Sequence, residues 1–271
     1  MVGLLAFPIF MSLFYSFFSI TFGQTITYTW QGLTNWVMIF SDPEIPAILR
    51  QTAYYMTATL SLAILGSLGV AVILNLKFHG RRVMSALLLV PWAIPSVAVA
   101  QMWMWMFNAK FGIVNTVLTS VGFTNFLYTN WLDPAHAMIT LVLAQVWKEI
   151  PLPALIILAA LQTVEKEQLE SAMIDGANAI QRFISISLPS IRTTLAFVIV
   201  ILTLESFKIF DMVYVLTHGY FGTMVLYFYV YDQGFAFGHP GYASALAWTL
   251  WAMIAVLSVA YARLLAPSFR R

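Results

Sequence analysis

The sequence of 271 residues has no cysteine and little charge, and each absence excludes classes of protein. Without cysteine there can be no disulfide, thiolate metal site or cysteine nucleophile. The four histidines are spaced too widely to form a multi-histidine metal site within one element. Charged residues make up 9% of the chain, whereas a soluble domain carries about 25%. The net charge of +2 also argues against a broad basic surface for nucleic acid.

Hydrophobic residues make up 61% of the chain, and the mean hydropathy is +0.85. A surface this poor in charge would not keep a monomer in water, so the relevant unit becomes the spanning helix of about 20 apolar residues. Charge-poor apolar runs recur between polar breaks, and none has the two-residue alternation typical of a β-barrel. We therefore predict an all-α integral membrane protein with six transmembrane helices. The predicted spans are 1–22, 51–76, 83–107, 135–161, 191–216 and 242–266.

The first run, 1–22, admits a second interpretation as a secretory signal peptide. Such a peptide would have a basic amino-terminal region and a small-residue cleavage site, and neither feature is present. We therefore interpret the run as a spanning helix, and leave open whether a longer natural amino terminus precedes it.

The basic residues predict the orientation of the chain in the membrane. If both termini face the cytoplasm, inner loops and flanks contain nine basic residues and outer segments contain two, Arg50 and Lys110. The other two, Lys148 and Lys208, lie within spans and complete the 13. Because basic residues collect on the cytoplasmic side, we predict a multi-pass protein of the inner or plasma membrane with both termini cytoplasmic. The nine are Lys77, Arg81, Arg82, Lys166, Arg182, Arg192, Arg263, Arg270 and Arg271.

The longest and most charged cytoplasmic segment, residues 162–190, connects the fourth and fifth spans. It is longer than a connector requires, and its pattern predicts two short amphipathic helices that meet at a glycine. Gly176 is suited to end the first helix, and Asn178 to cap the second. On pattern alone, the segment could also lie on the membrane surface as an interfacial hairpin. Its apolar positions are Leu169, Ala172 and Met173 in the first helix and Ile180, Phe183, Ile184 and Leu188 in the second.

The spacing of residues in this segment favours a more specific interpretation. Glu170-Ser171-Ala172, three residues, Gly176, nine residues, Ile186, one residue and Leu188-Pro189 resemble the EAA signature of permease subunits of binding-protein-dependent ABC importers. Asp175-Gly176-Ala177 matches the D-G-A that is common in this family. Ser171 stands where the family has alanine, which is one small residue in place of another.

Motifs along nearly the whole chain resemble the carbohydrate branch of this family, and in particular the first membrane subunit of maltose and glycerol-3-phosphate importers. These motifs are Gly80-Arg81-Arg82, residues 91–96, 112–115, 147–151 and 207–211, and Leu216-Thr217. The chain departs from the family pattern in two places. Glu165 replaces a frequent proline, and His218-Gly219-Tyr220 replaces Gly-Gly-Pro.

The resemblance implies a set of partners. The chain has no phosphate-binding P-loop, so ATP and Mg²⁺ would bind in partner subunits, and this chain would be neither an enzyme nor dependent on a cofactor. The implied partners are a second permease subunit, two ATPase subunits, an extracellular solute-binding protein and the lipid bilayer, with a sugar as substrate and no nucleic acid. The cytoplasmic loop would dock in a cleft of the ATPase, whose closure would switch the spans from inward-facing to outward-facing.

Six loop residues are implied to couple this chain to the ATPase. Glu170 is best placed to pair with a basic group in the cleft and Asp175 is second, while Ala172 and Gly176 would allow close approach of the two backbones. The six predicted coupling residues are Glu170, Ser171, Ala172, Asp175, Gly176 and Ala177.

Charged residues inside the spans are expected to face the bundle interior or a wet cavity. Glu205, Lys208 and Asp211 lie three residues apart along the fifth span, either as a structural ion pair or as a wall of the solute pathway. For Lys148 and Glu149, at the expected bend of the fourth span, we favour a structural role in satisfying exposed backbone. The candidate pathway residues, chosen for contacts to sugar hydroxyls and ring faces, are Glu205, Ser206, Tyr214, Gln145, Trp147 and Trp103.

Two other classes of protein compete with this interpretation. A secondary transporter would need a complete ion site, often with inverted repeats, and no repeat is evident. A membrane-embedded enzyme would need a nucleophile with a base, or paired acids, on facing spans. Neither class explains the loop at 162–190. Faces of small residues, such as Ala63-Gly66-Gly69 and Ala243-Ala245-Ala247, predict close helix partners, which we attribute to the second permease.

Overall fold

Over residues 2–269, which the computed structural model describes, the chain is α-helical with one short β-hairpin. Arg270 and Arg271, which were counted above on the cytoplasmic side, lie outside the described residues. The first half contains α1 (Val2–Tyr15), β1 (Phe18–Phe22), β2 (Ile26–Trp30), α2 (Thr34–Ser41), α3 (Ile45–Asn75), α4 (Arg81–Leu88), α5 (Val90–Ala93), α6 (Ser96–Met106), α7 (Ile113–Ser120) and a 3-10 turn (Thr124–Phe126).

The second half contains α8 (Ala137–Glu149), α9 (Pro151–Leu161), α10 (Lys166–Ile174), α11 (Ala179–Arg182), a π-helical turn (Phe183–Ser187), α12 (Leu188–Ser190), α13 (Arg192–Phe207), α14 (Asp211–Leu216), α15 (Leu226–Tyr231), a second π-helical turn (Asp232–Ala236) and α16 (Pro240–Phe269). Most of the predicted spans correspond to one of these helices or to two consecutive ones.

Two helices among the described residues are long and apolar enough to cross a membrane, Ile45–Asn75 and Pro240–Tyr261. Three bent pairs pass the same criterion and raise the number to at most five. They are Arg81–Ala93 with Ser96–Met106, bent by 96°, Ala137–Glu149 with Pro151–Leu161, bent by 45°, and Ala179–Ser190 with Arg192–Phe207, bent by 73°. The bends in the third and fourth predicted spans lie at their prolines, because proline removes a backbone donor and disfavours helix in the residue before it.

The prediction of one helix over residues 1–22 was wrong in its second part, as was the prediction of an entirely α-helical chain. Helix α1 ends at Tyr15, and β1 pairs antiparallel with β2 from Phe18 opposite Trp30 to Phe22 opposite Ile26. Both strands alternate large apolar residues with serine or threonine, around a Gly-Gln-Thr turn. This alternation favours a hairpin and is hidden when the region is scored only for hydrophobicity.

Helix α3 is the centre of the packing. Its buried residues recur every three or four positions and form one face that packs against α8, α9 and α13. Gly66 allows close packing there, because a Cβ atom at this position would lie 2.6 Å from the Ile150 Cδ1 atom and would force that side chain to move. The face of small residues on α3 therefore has a partner within this chain at Ala63 and Gly66, whereas Gly69 faces open space. The buried residues include Thr52, Tyr55, Thr59, Ala63, Ser67, Ala71 and Leu74.

The amino-terminal elements pack on the carboxy-terminal helix α16. The Trp248 Nε1 atom donates to the Ser12 Oγ atom at 3.1 Å, and the Asn35 side chain donates to the Ser16 and Phe18 carbonyls at 2.9 and 3.0 Å. Gly241 lies so close to β1 that an added Cβ atom would be 2.0 Å from the Phe18 carbonyl oxygen. The hairpin is therefore held by the last helix and by α2.

Candidate functional site

The loop at 162–190 folds as two short helical arms joined by a tight turn, as its pattern predicts. Helix α10 ends in a Schellman motif, in which the Gly176 and Ala177 amides donate to the Met173 and Ala172 carbonyls at 3.1 and 2.9 Å. Gly176 has φ of +83°, a conformation that residues with a side chain rarely adopt. The prediction that Gly176 ends the first arm is confirmed.

The second arm begins with a capping box. The Asn178 Oδ1 atom accepts from the Gln181 amide at 2.9 Å, and the Gln181 Oε1 atom accepts from the Asn178 amide at 2.8 Å. The Arg182 Nη1 atom also donates to the Ala177 carbonyl at 2.6 Å, which ties the arm to the turn. The predicted cap at Asn178 is confirmed, and the geometry of the turn is fixed by residues close together in sequence.

Large apolar side chains of this loop are exposed. Ile174 at the end of the first arm is 87% exposed and Ile180 in the second arm is 70% exposed. Met173 and Ile184 are exposed as well. Of the six predicted coupling residues, Glu170, Ser171, Asp175 and Gly176 are exposed, and Ala172 and Ala177 are half-buried. The loop thus presents carboxylates beside an apolar surface that this chain does not cover, which is typical of a protein-binding surface.

Inside the bundle, three helix breaks interrupt the predicted third, fourth and fifth spans. They lie at Ile94–Pro95, at Ile150 and at residues 208–210. A break frees backbone groups that must find partners inside a membrane. The Ser67 Oγ atom donates to the Ile150 carbonyl at 3.1 Å, so α3 supplies the partner for the break in the fourth span.

Lys148 supplies the partner for the break in the third span. Its side chain is only 9% exposed. The Nζ atom donates to the Ile94 carbonyl at 3.0 Å and to the Trp92 carbonyl at 3.3 Å. A cation at the carboxyl end of a helix is also favoured by the helix dipole. The predicted structural role of Lys148 is confirmed, but the backbone that it satisfies belongs to a neighbouring span rather than to its own.

Glu149, the next residue, lies in a group of four charges. Its Oε1 atom accepts from the Gln145 Nε2 atom at 2.9 Å, and its carboxylate interacts electrostatically with Glu205, Lys148 and Lys208. Glu205 and Lys208 form an ion pair of 2.6 Å, and their side chains are 44% and 53% exposed in this chain. With two charges of each sign, the group is neutral overall, which lowers the cost of its place in the membrane.

One expectation for the fifth span was wrong. Asp211 does not continue one helical face with Glu205 and Lys208, because α13 ends at Phe207 and Asp211 begins α14. Ser206, a predicted pathway residue, is buried, and its Oγ atom donates to the Leu202 carbonyl of its own helix at 2.8 Å. Its hydroxyl is therefore already engaged within the packed bundle.

The other predicted pathway residues fall into three places. Trp103 and Trp147 meet edge to face with ring centroids 5.9 Å apart. Tyr214 is exposed and stacks on Phe210 at 5.4 Å. Gln145 is buried and is linked to Glu205 through Glu149. The structure thus groups Gln145 with Glu205 and Trp103 with Trp147, and leaves their role in transport as a prediction.

Asp42, which directly follows α2, is a connecting residue that sequence reasoning did not identify. Its Oδ2 atom accepts from the Tyr242 and Tyr229 hydroxyls at 2.7 and 2.8 Å, and its Oδ1 atom accepts from the Glu44 amide at 2.9 Å. Burial alone would raise the pKa of Asp42, but these hydrogen bonds hold it below its ordinary value. The side chain lines a cavity of about 510 Å³ between the hairpin and α16. The only sequence signal was the turn Ser41-Asp42-Pro43.

The chain resembles known transport proteins over most of its length. The model of the family described as binding-protein-dependent transport system inner membrane component matches residues 63–271. The sulfoquinovosyl glycerol transport system permease protein SmoG of Agrobacterium fabrum is 30% identical over 97% of this chain and 85% of its own. The trehalose/maltose transport system permease protein MalF of Thermococcus litoralis is 35% identical over 69% of this chain and 63% of its own.

Solved structures show the same fold. A bacterial ABC transporter involved in the import of the acidic polysaccharide alginate matches with a TM-score of 0.81, over 95% of this chain and 88% of that chain, at 21% identity. The alginate transporter in complex with its alginate pentasaccharide-bound periplasmic protein matches with a TM-score of 0.79, over 88% and 84% of the two chains, at 21% identity. At this identity the likeness concerns the fold alone.

Proposed function

The chain belongs to the family of binding-protein-dependent transport system inner membrane components, as a carbohydrate ABC importer permease, and on that premise we propose how it works. It forms one half of a pathway for a sugar or a related polyol or glycoside. ATP hydrolysis takes place in partner subunits and reaches the pathway through the loop at 162–190. The complete importer contains a second permease, two ATPase subunits and an extracellular solute-binding protein.

The proposal extends to the placement of the chain in the membrane. Six spans are formed by α1, α3, α4 to α6, α8 with α9, α13 with α14, and α16. Both termini and the loop at 162–190 face the cytoplasm, which agrees with the distribution of basic residues in the sequence. Under this arrangement the whole chain, 1–271, is a single permease domain.

The observation that carries the proposal is the ordered turn and the exposed apolar surface of the loop at 162–190. A flexible connector would not need a Schellman motif followed by a capping box, and an isolated soluble loop would not expose Ile174 and Ile180. A rigid, two-armed, apolar surface flanked by Glu170 and Asp175 is suited to fit a cleft in another protein. The alternative of an interfacial hairpin would leave these carboxylates at the membrane surface without a partner.

The pathway is proposed to pass the neutral group of charges at the helix breaks. The names of the relatives refer to sulfoquinovosyl glycerol and to trehalose and maltose, and those of the fold neighbours to alginate. The hydroxyls and ring faces that all these sugars share need hydrogen-bonding side chains and aromatic faces. Glu205, Gln145, Tyr214, Trp147 and Trp103 supply both kinds of contact.

Glu170→Lys tests the coupling role. Reversal of the charge should abolish sugar uptake, and the ATPase should dissociate from the membrane complex. The free energy of docking should weaken by about 2–5 kcal/mol if the pair with a basic cleft residue is buried. Insertion of the permease should stay normal, because Glu170 has no partner within the described residues. The measurements are uptake of labelled sugars and copurification of the ATPase.

Glu167→Lys is the matched control, since Glu167 is a second exposed glutamate in the same helix α10 and lies outside the signature. It should retain uptake and copurification. Normal uptake and full ATPase recovery with Glu170→Lys would contradict the docking role, and equal loss in both variants would assign the effect to general charge.

A further inference from the structure

Four buried polar atoms without a hydrogen-bond partner lie in one part of the bundle. They are Gln51 Oε1, Tyr55 Oη and Thr59 Oγ1 on α3 and Trp103 Nε1 on α6, and they are the full set of such side-chain atoms found among the described residues. Gln51, Tyr55 and Thr59 are spaced four residues apart, so they lie on one line along α3. Tyr55 is 0% exposed and belongs to a buried apolar cluster with residues of α6, α8 and α14. Trp103 packs against this cluster.

A dry interior would not tolerate this arrangement. A polar group taken out of water without a partner is destabilising, and buried polar atoms in native proteins are nearly always satisfied by protein or by ordered water. The Tyr55 and Thr59 hydroxyls interact with each other, one helical turn apart, but not with the geometry of a hydrogen bond. These atoms therefore need a ligand that the described protein groups do not supply.

The chemistry of the four atoms indicates what that ligand is. The indole N–H only donates, the amide oxygen only accepts, and the two hydroxyls do both. A cation would be repelled by the indole N–H, and the nearby group of Lys148, Glu149, Glu205 and Lys208 is already neutral. Water can accept from Trp103 and donate to Gln51, and a buried water needs two to four such partners.

We propose that ordered water molecules bind along α3 from Gln51 to Thr59, in a seam closed by α6 and α8. The seam begins near the outer loop, where Gln51 lies against Gly222. It approaches Glu149, which interacts electrostatically with Tyr55. Water in the seam gives the Glu149 carboxylate a source of hydrogen bonds that is independent of any sugar in the pathway.

Hydroxyl-radical footprinting of the assembled transporter in lipid nanodiscs tests the seam, because radicals formed from bound water oxidise the side chains that touch it. Tyr55 should be oxidised in millisecond exposures. Met212 is the internal control, since it is buried in the same cluster and methionine is the more reactive side chain. Oxidation of Tyr55 with Met212 protected would support bound water. Protection of both residues, or oxidation of both through general opening of the bundle, would overturn the proposal.

A stability measurement gives a second and independent outcome. Tyr55→Phe and Thr59→Val remove one hydroxyl each and keep the shape of the side chain. If water satisfies these hydroxyls, each variant should lower the thermal transition temperature of the complex and reduce oxidation in the seam. If the atoms are buried dry, each variant should raise that temperature, which would contradict the seam. Neither readout depends on sugar uptake, so the proposal can fail while the proposed function stands.

Discussion

The loop at 162–190 and the charged group at the helix breaks are stabilised in opposite ways. In the loop, the hydrogen bonds of Asn178, Gln181 and Arg182 join residues three to five positions apart. At the breaks, Lys148 and Ser67 bind carbonyls that are 54 to 83 positions away. The loop therefore keeps its shape through its own sequence and leaves its surface free, whereas the breaks exist only because separate spans meet.

Lys148→Met should have the largest effect and would test the long-range half of this comparison. It leaves the Trp92 and Ile94 carbonyls without a donor, at a cost of about 2–4 kcal/mol. The expected result is a lower thermal transition temperature and a lower yield of assembled transporter. Lys208→Met is the matched control, and its half-exposed ion pair should cost less than about 1 kcal/mol. Equal losses in the two variants would show that the hydrogen bonds of Lys148 to the Trp92 and Ile94 carbonyls stabilise the fold no more than the Glu205–Lys208 ion pair does.

Asp42→Asn extends the comparison to the outer side and should have the next largest effect. The amide accepts more weakly from the Tyr229 and Tyr242 hydroxyls, which costs about 2 kcal/mol. Because the pKa of Asp42 is lowered from 3.8, its contribution is present above the unfolded pKa and is lost as the pH falls through the folded one. The difference in transition temperature between wild type and variant should thus stay constant between about pH 5 and pH 8. Glu44→Gln, at an exposed neighbour, is the control and should leave stability unchanged. If the difference in transition temperature between wild type and Asp42→Asn varied within this pH range, the stabilising role of the Asp42 hydrogen bonds would be contradicted.

Gly176→Ala tests the local half of the comparison with a smaller effect. A side chain at φ of +83° costs about 1–2 kcal/mol, and this cost falls on the turn between the arms. Sugar uptake and ATPase copurification should therefore fall while the transition temperature of the bundle stays near that of wild type. The control is Gly69→Ala in α3, where an added Cβ atom meets nothing within 4 Å. A loss of bundle stability with Gly176→Ala would mean that the loop is not independent of the spans.

The Glu205–Lys208 pair should show the smallest energy, because both side chains are about half exposed in this chain. A double-mutant cycle with Glu205→Gln and Lys208→Met should give a coupling of about 0.2–1 kcal/mol on assembly. If Glu205 lines the pathway, Glu205→Gln should also change transport rate or sugar preference. Rescue of assembly by the double variant, with unchanged preference, would remove Glu205 from the pathway residues.

The same contrast explains how much could be predicted from the sequence. Gly176 and Asn178 were predicted correctly, because helix ends are encoded by neighbouring residues. The bend of the fourth span was predicted for the same reason, because proline acts on the residues next to it in the sequence. The partner of Lys148 could not be predicted, since it depends on which two spans lie side by side. The hydrogen bonds of Asp42 with Tyr229 and Tyr242 could not be predicted for the same reason. The hairpin after Tyr15 was missed because its strands are highly hydrophobic.

The packing of the amino-terminal elements on α16 has a consequence for biosynthesis. Tyr242 lies 200 positions after Asp42, and Trp248 lies 236 positions after Ser12. During translation the hairpin and the Asp42 carboxylate leave the ribosome long before the helix that completes their hydrogen bonds. Their hydrogen bonds to α16 therefore remain unmade at the membrane until that helix has been synthesised. In that interval these groups can contact insertion factors or form incorrect pairs. This part of the bundle therefore closes only after α16 has been synthesised, and a chain that terminates before α16 cannot form it.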